Sequence, residues 1–95
     1  MQIVWSDDAV ADYHQNIDFL LEKWSVQVAV EFMEDVETII ELVERQPEIY
    51  PLTDYQGIRK AVVRKQITLF FRLKDETIHL IRFWNNYQDP ERLKM

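Results

Sequence analysis

The side chains able to do chemistry gather in the last third of the chain. Residues 57–95 read GIRKAVVRKQITLFFRLKDETIHLIRFWNNYQDPERLKM. Apolar runs there are laced with Arg59, Lys60, Arg64, Lys65, Arg72 and Arg82, and a polar tail carries Tyr87, Gln88 and Arg92. Cations on a strand scaffold hold anions, and arginine can grip a phosphate or carboxylate through parallel hydrogen bonds. The first half is opposite in character. Residues 1–48 hold twelve acidic and two basic side chains (−10), residues 49–95 hold five and nine (+4), and the sum is the chain's −6. An anionic partner is therefore expected on the basic half. General nucleic-acid affinity is not, because it shows as a basic balance over a whole domain.

Each candidate has a plainer reading. Arg64, Lys65 and Lys74 sit in or beside turns, where cations serve solubility. Arg72 and Arg82 lie mid-strand, where a functional site and a structural salt bridge are both open. His79, between Ile78 and Leu80, reads as a surface or edge residue. Phe70, Phe71, Phe83 and Trp84 read as core or partner contacts, and Trp5 and Trp24 as core. Asp12, Asp18, Glu22, Glu31, Glu34, Asp35, Glu37, Glu41 and Glu44 read as solvated outer faces of helices rather than metal ligands. With no cysteine and only His14 and His79, a zinc site would need much carboxylate help, and neither a metal nor a cofactor is expected.

The elements that must position these groups follow from the pattern. Gln2 to Trp5 is a short β-compatible run. Ser6 suits a helix N-cap, with Asp7 and Asp8 in the first turn, and Trp5 and Val10 are spaced as a hydrophobic staple. Ala9, Tyr13, Ile17, Leu20, Leu21 and Trp24 make one helical stripe. Ser25 caps a second helix carrying Ala29, Phe32, Met33, Val36, Ile39, Ile40 and Val43, which Pro47 ends. So short a connection predicts an antiparallel helical hairpin. After a loop over 49–56, closed by Gly57, three runs of strand character follow: Ile58 to Arg64, Ile67 to Leu73 and Thr77 to Trp84. Their links at Lys65-Gln66 and at Lys74 to Glu76 are short enough for hairpins. Both parities of residues 77–84 contain apolar side chains, so the buried face of the last strand is open.

The expected fold is thus α+β, in the order β-α-α-β-β-β, with a helical hairpin packed on a small antiparallel sheet and the first strand joining at an edge or beside a later strand. The 95 residues make one domain. No secretory leader and no apolar run of membrane-spanning length is seen, which suggests the cytoplasm.

This order, with Trp5-Ser6 and Ala9 before the first helix, Gly57-Ile58-Arg59, Leu69-Phe70-Phe71-Arg72, and Phe83-Trp84 followed by Gln88-Asp89-Pro90, resembles the RelE/ParE toxins of bacterial type II toxin–antitoxin modules. The resemblance implies a small toxin neutralised by a cognate antitoxin, in a possible toxin–antitoxin hetero-oligomer. The target would be DNA gyrase for ParE-like members, or mRNA in the ribosome for RelE-like ones. A RelE-like mechanism implies Arg59, Arg72, Arg82 and Tyr87 as catalytic candidates. Tyr87 would move a proton or stack on a base. Lys60, Arg64, Lys65, Gln88 and Arg92 would then hold the target. Counted from Gly57 without gaps, further cationic positions of a RelE-type set fall on Ala61 and Thr68. The set is therefore partial, which favours a ParE-like or divergent member. An inert antitoxin-binding module and a free-standing ribonuclease are the alternatives. Leu93, Tyr87 and the sheet face suggest an apolar docking patch.

Overall fold

The computed structural model describes residues 1–87, 93 and 95. The chain runs β1 (Gln2–Trp5), α1 (Asp7–Lys23), α2 (Val26–Arg45), a 3-10 turn at Pro47–Ile49, β2 (Ile58–Arg64), β3 (Ile67–Lys74) and β4 (Thr77–Asn85). Sheet order is β1-β4-β3-β2. The β2–β3 and β3–β4 pairs are antiparallel, while β1 lies parallel to β4 at the sheet edge.

The helix starts are built as their sequences dictate. Ser6 Oγ accepts the Ala9 N–H at 2.9 Å and Ser25 Oγ accepts the Val28 N–H at 3.2 Å, each satisfying a donor that the helix leaves unpaired. Trp5 does not staple to Val10, which stays 41% exposed. Its ring packs instead on Tyr13 and Phe83, at 5.4 and 5.3 Å. The far end of the α1 stripe is also corrected. Trp24 is 62% exposed and Leu21 45%: in the last turn of α1 only Leu20 reaches the core, and Trp24 lies past the end of the helix at Lys23.

The main core lies between the helices and the sheet, where Phe32, Val36 and Val43 meet Leu69, Phe71, Ile78, Leu80 and Phe83. A smaller cluster of Ile58, Phe70 and Trp84 occupies the opposite sheet face, joined by Ile81, Leu93 and Met95. Phe70 and Phe71 are both buried because the sheet is covered on both sides there. A bulge decides the parity of β4: Phe70 pairs with Arg82 and Phe71 with Leu80, leaving Ile81 as the extra residue. The alternation reverses at that point, which is why both parities carry apolar side chains.

The β3–β4 turn places Asp75 and Glu76 at φ 54° and 57°, and Lys74 pairs with Thr77 across it. This is a two-residue turn of the I′ kind, matched to strand twist but made without glycine. Gly57 sits at φ 74° where the loop enters β2. That loop folds back along the free edge of β2: the Lys60 N–H donates to Pro51 O at 3.0 Å and the Thr53 N–H to Ile58 O at 2.8 Å, partly covering an edge that would otherwise template pairing.

Candidate functional site

The sheet face turned away from the helices is organised in rows across the strands. Ile58, Arg72 and His79 are register partners in one row, Lys60, Phe70 and Arg82 in the next, and Val62, Thr68 and Trp84 in the third. Apolar Ile58, Phe70 and Trp84 form its floor, with Leu93 and Met95 packed on them. Arg72 is half-buried and its guanidinium donates to Gln56 O at 3.3 Å. Lys60 is exposed. Tyr55 Oη donates to Leu93 O at 3.4 Å, beside this face.

The C-terminal half of β4 extends past β1 and would present a bare backbone edge. Side chains of α1 complete it. Ser6 Oγ donates to Ile81 O at 2.9 Å, Asn16 Nδ2 donates to Phe83 O at 3.0 Å, and Asp12 Oδ2 accepts the Phe83 N–H at 3.1 Å. Asp12 also takes the guanidinium of Arg82: Nε donates to Oδ2 at 2.6 Å and a terminal nitrogen to Oδ1 at 2.9 Å. Arg82 lies over the Trp84 ring, 5.4 Å from its centroid. Hydrogen bonding to Asp12 raises the Arg82 pKa against the opposing effect of burial, with the charges of Asp12 and Asp8 adding to it.

Asp12 is therefore not part of a solvated face. It is 6% exposed, one member of an ion pair that joins helix to strand. Asp12 and Asn16 lie on the buried stripe of α1 with Ala9 and Leu20, at helical spacing. Two polar residues inside an apolar stripe were the trace of this arrangement in the sequence, and the reading of Asp12 as solvated passed over it.

The remaining cations are dispersed. Arg59 turns away from Lys60 and binds the chain's own loop, one terminal nitrogen donating to Tyr50 O at 2.7 Å and Glu48 O at 3.2 Å. Arg64 pairs with Asp35 of α2 at 2.8 Å and lies 3.7 Å from Glu31, so these carboxylates are also not merely solvated. Tyr87 packs on Phe19 of α1, with ring centroids 5.7 Å apart. It lines a groove of about 410 Å³ at the end of the sheet, together with Arg64, Lys65 and Trp24. Tyr87 and Leu93 thus belong to different surfaces rather than one docking patch. Gln88 and Arg92, like the Asp89-Pro90 that follows Gln88, lie outside the described residues.

Of the candidates drawn from sequence, Lys60 and Arg72 share the open face with His79, while Arg64, Lys65 and Tyr87 share the groove. Arg82 shares the open face as well, over Trp84, but its guanidinium is tied to Asp12; Arg59 is engaged elsewhere. Among the described residues, no group of three or more carboxylates and histidines could hold a metal ion. Nor, among the described residues, is any helix long and apolar enough to cross a membrane.

The sequence matches the family model of the ParE toxin of type II toxin–antitoxin system, parDE, over residues 3–90. No curated protein matches. Among solved structures, the chromosomal ParDE toxin–antitoxin system of P. aeruginosa superposes with a TM-score of 0.79 at 17% identity, covering 90% of this chain and 95% of that one. A YoeB/ParE toxin from Agrobacterium tumefaciens gives 0.66 at 15% identity, over 90% and 98% of the two chains. The YoeB-YefM complex from Staphylococcus aureus gives 0.61 at 11% identity, over 87% and 93%. These likenesses are in fold.

Proposed function

This chain belongs to the ParE toxin family of type II toxin–antitoxin systems, and on that premise we propose that it inhibits DNA gyrase by binding and is held inactive by a cognate antitoxin. Dispersal of the cations carries the choice of gyrase over mRNA. Cleaving RNA requires a base, a proton donor and cations around one phosphate, all within hydrogen-bond reach. Here Arg59 binds backbone carbonyls, Arg82 binds Asp12, and Tyr87 sits against α1. What the open face retains beside the Asp12-bound Arg82, namely Lys60, Arg72 and His79 over an apolar floor, suits a binding surface better than a phosphoryl-transfer centre. The YoeB-YefM structure is a toxin–antitoxin complex on the same fold, which supports an antitoxin partner here.

The test pairs two assays on the purified protein. Supercoiling of relaxed plasmid by gyrase is expected to fall as the chain is titrated in, and the antitoxin to restore it. In a cell-free translation reaction, primer extension is expected to show intact mRNA. Cuts that depend on ribosomes would overturn the gyrase assignment. Intact mRNA together with unimpeded supercoiling would leave a module that only binds its antitoxin.

A further inference from the structure

The open face holds one charge that its surroundings cancel. In its rows the permanent cations are Lys60, Arg72 and Arg82. Arg82 shares a row with Lys60 and Phe70 and lies over Trp84, where a third cation would grip an anion laid across the sheet. Asp12 engages it instead through two hydrogen bonds, at 2.6 and 2.9 Å, in a pair whose side chains are 16% and 8% exposed. The seam between α1 and β4 does not require this charge. Neutral groups meet the β4 edge on either side, Ser6 Oγ at Ile81 O and Asn16 Nδ2 at Phe83 O. The Phe83 N–H needs only an acceptor, which Asp12→Asn would retain. A buried ion pair adds little over well-packed neutral side chains of similar volume, so stability does not account for the carboxylate. Nor can the other helix acids replace it. Carboxylates on the outer helix faces stand a helix diameter, about 10 Å, beyond the sheet, farther than the screening length of about 8 Å at physiological salt.

We propose that Asp12 determines the specificity of the open face: by neutralising Arg82 it withholds a third phosphate contact, so that the face takes a protein surface and turns away nucleic acid. Two cations over an apolar floor suit a partner protein, whose charges stand among apolar side chains. A nucleic-acid strand offers phosphates in series, and each cation withheld from its path removes a contact. The proposal rests on the reading of this face as the surface that meets the target.

A fluorescein-labelled twelve-nucleotide single strand of DNA is the probe, with anisotropy read on the full-length chain over a series of salt concentrations. The wild-type chain is expected to bind weakly, with a Kd above about 100 μM at physiological salt. Asp12→Asn keeps an oxygen for the Phe83 N–H but sets its amide nitrogen against the Arg82 guanidinium, donor to donor. It is expected to steepen the slope of log Kd against log salt by about 0.7, the value of one further phosphate on a single strand, and so to tighten binding about fivefold at 0.1 M salt. Asp12→Ser covers the case in which the amide disturbs the seam, and circular dichroism checks the fold of each variant. Asp12→Asn combined with Arg82→Gln is expected to return slope and affinity to those of the wild type. Micromolar binding by the wild type, an unchanged slope in both single variants, or a gain that survives the loss of Arg82 would each overturn the proposal. The assay contains no gyrase, so a wild-type chain that leaves supercoiling unimpeded refutes the gyrase reading alone.

Discussion

Replacing Asp12 with alanine should be among the most damaging single substitutions outside the apolar core. The carboxylate accepts three hydrogen bonds, two from Arg82 and one from the Phe83 N–H. Without it, a guanidinium only 16% exposed loses its counter-charge, and a backbone donor on a residue 1% exposed loses its acceptor. Breaking a buried ion pair from one side costs about 3–5 kcal/mol, and an orphaned buried N–H about 1–3 kcal/mol. The two overlap, because both groups share one acceptor, and the guanidinium keeps some water and the Trp84 face. A loss of about 3–4 kcal/mol is therefore expected. For a domain of this size that lowers the Tm by roughly 12–30 °C. Urea titrations followed by circular dichroism read the loss directly, and a cycle with Arg82→Ala separates the pair from the backbone bond. Asp12→Asn keeps an oxygen for Phe83 and should cost less, about 1–3 kcal/mol. Asp12→Ala with Arg82→Ala should be milder than the sum of the singles. A loss below about 1 kcal/mol for Asp12→Ala, the range of an exposed pair, would refute the reasoning.

The β3–β4 turn should gain from the residues its geometry favours: Asp75→Asn with Glu76→Gly is expected to stabilise by about 1 kcal/mol, since positive φ costs ordinary residues about 1–2 kcal/mol, and a lowered urea midpoint would count against the I′ reading. Removing the Arg59 guanidinium should free the loop, so Arg59→Ala is expected to cost about 1–2 kcal/mol and to speed amide exchange at Thr53 and Lys60, whose N–H groups bond across that loop; unchanged exchange at both would contradict its role as a tether. Burial, and then the charge of Glu37, raises the Tyr13 pKa above 10.0. The folded state therefore holds this proton to higher pH than the unfolded chain does. Its contribution is fully present below the unfolded value and is lost as pH rises through the folded one. Denaturation from pH 8 to 11 should show a fall in stability that Tyr13→Phe makes shallower; equal slopes would rule out Tyr13 as a source.

The local grammar of the chain was legible. Ser6 and Ser25 as caps, Pro47 as a terminator and the short links between strands each act through neighbours a few residues away, and they place the elements within a residue or two. What was not legible depends on where distant segments meet. Asp12 reads as surface until β4 passes beside it, because one helix turn says nothing of a backbone edge seventy residues on. The extra residue at Ile81 hides the facing of β4, since reversing the alternation midway makes both parities look buried. The roles of the arginines were hidden for a similar reason. Nothing in the run from Gly57 to Arg82 says that Arg59 will find the carbonyls of Glu48 and Tyr50, or that Arg82 will find α1 rather than a phosphate. Composition showed that the cations were there, but only the packing shows which are already committed.

The pairing of β1 with β4 also has a consequence in time. Gln2 finds its register partner at Thr77, and the Ser6 hydroxyl finds Ile81 O across a separation of 75 residues. The hairpins of β2, β3 and β4 close over short loops and can form early, whereas docking β1 and the edge of α1 requires the longest loop closure in the molecule. Folding is therefore expected to end at β1, the first of the four strands to be synthesised. A chain interrupted before Thr77 lacks the strand on which β1 and the polar face of α1 both depend. Translation that stops before β4 should yield no half-active fragment, and the native structure can complete only once β4 has been read.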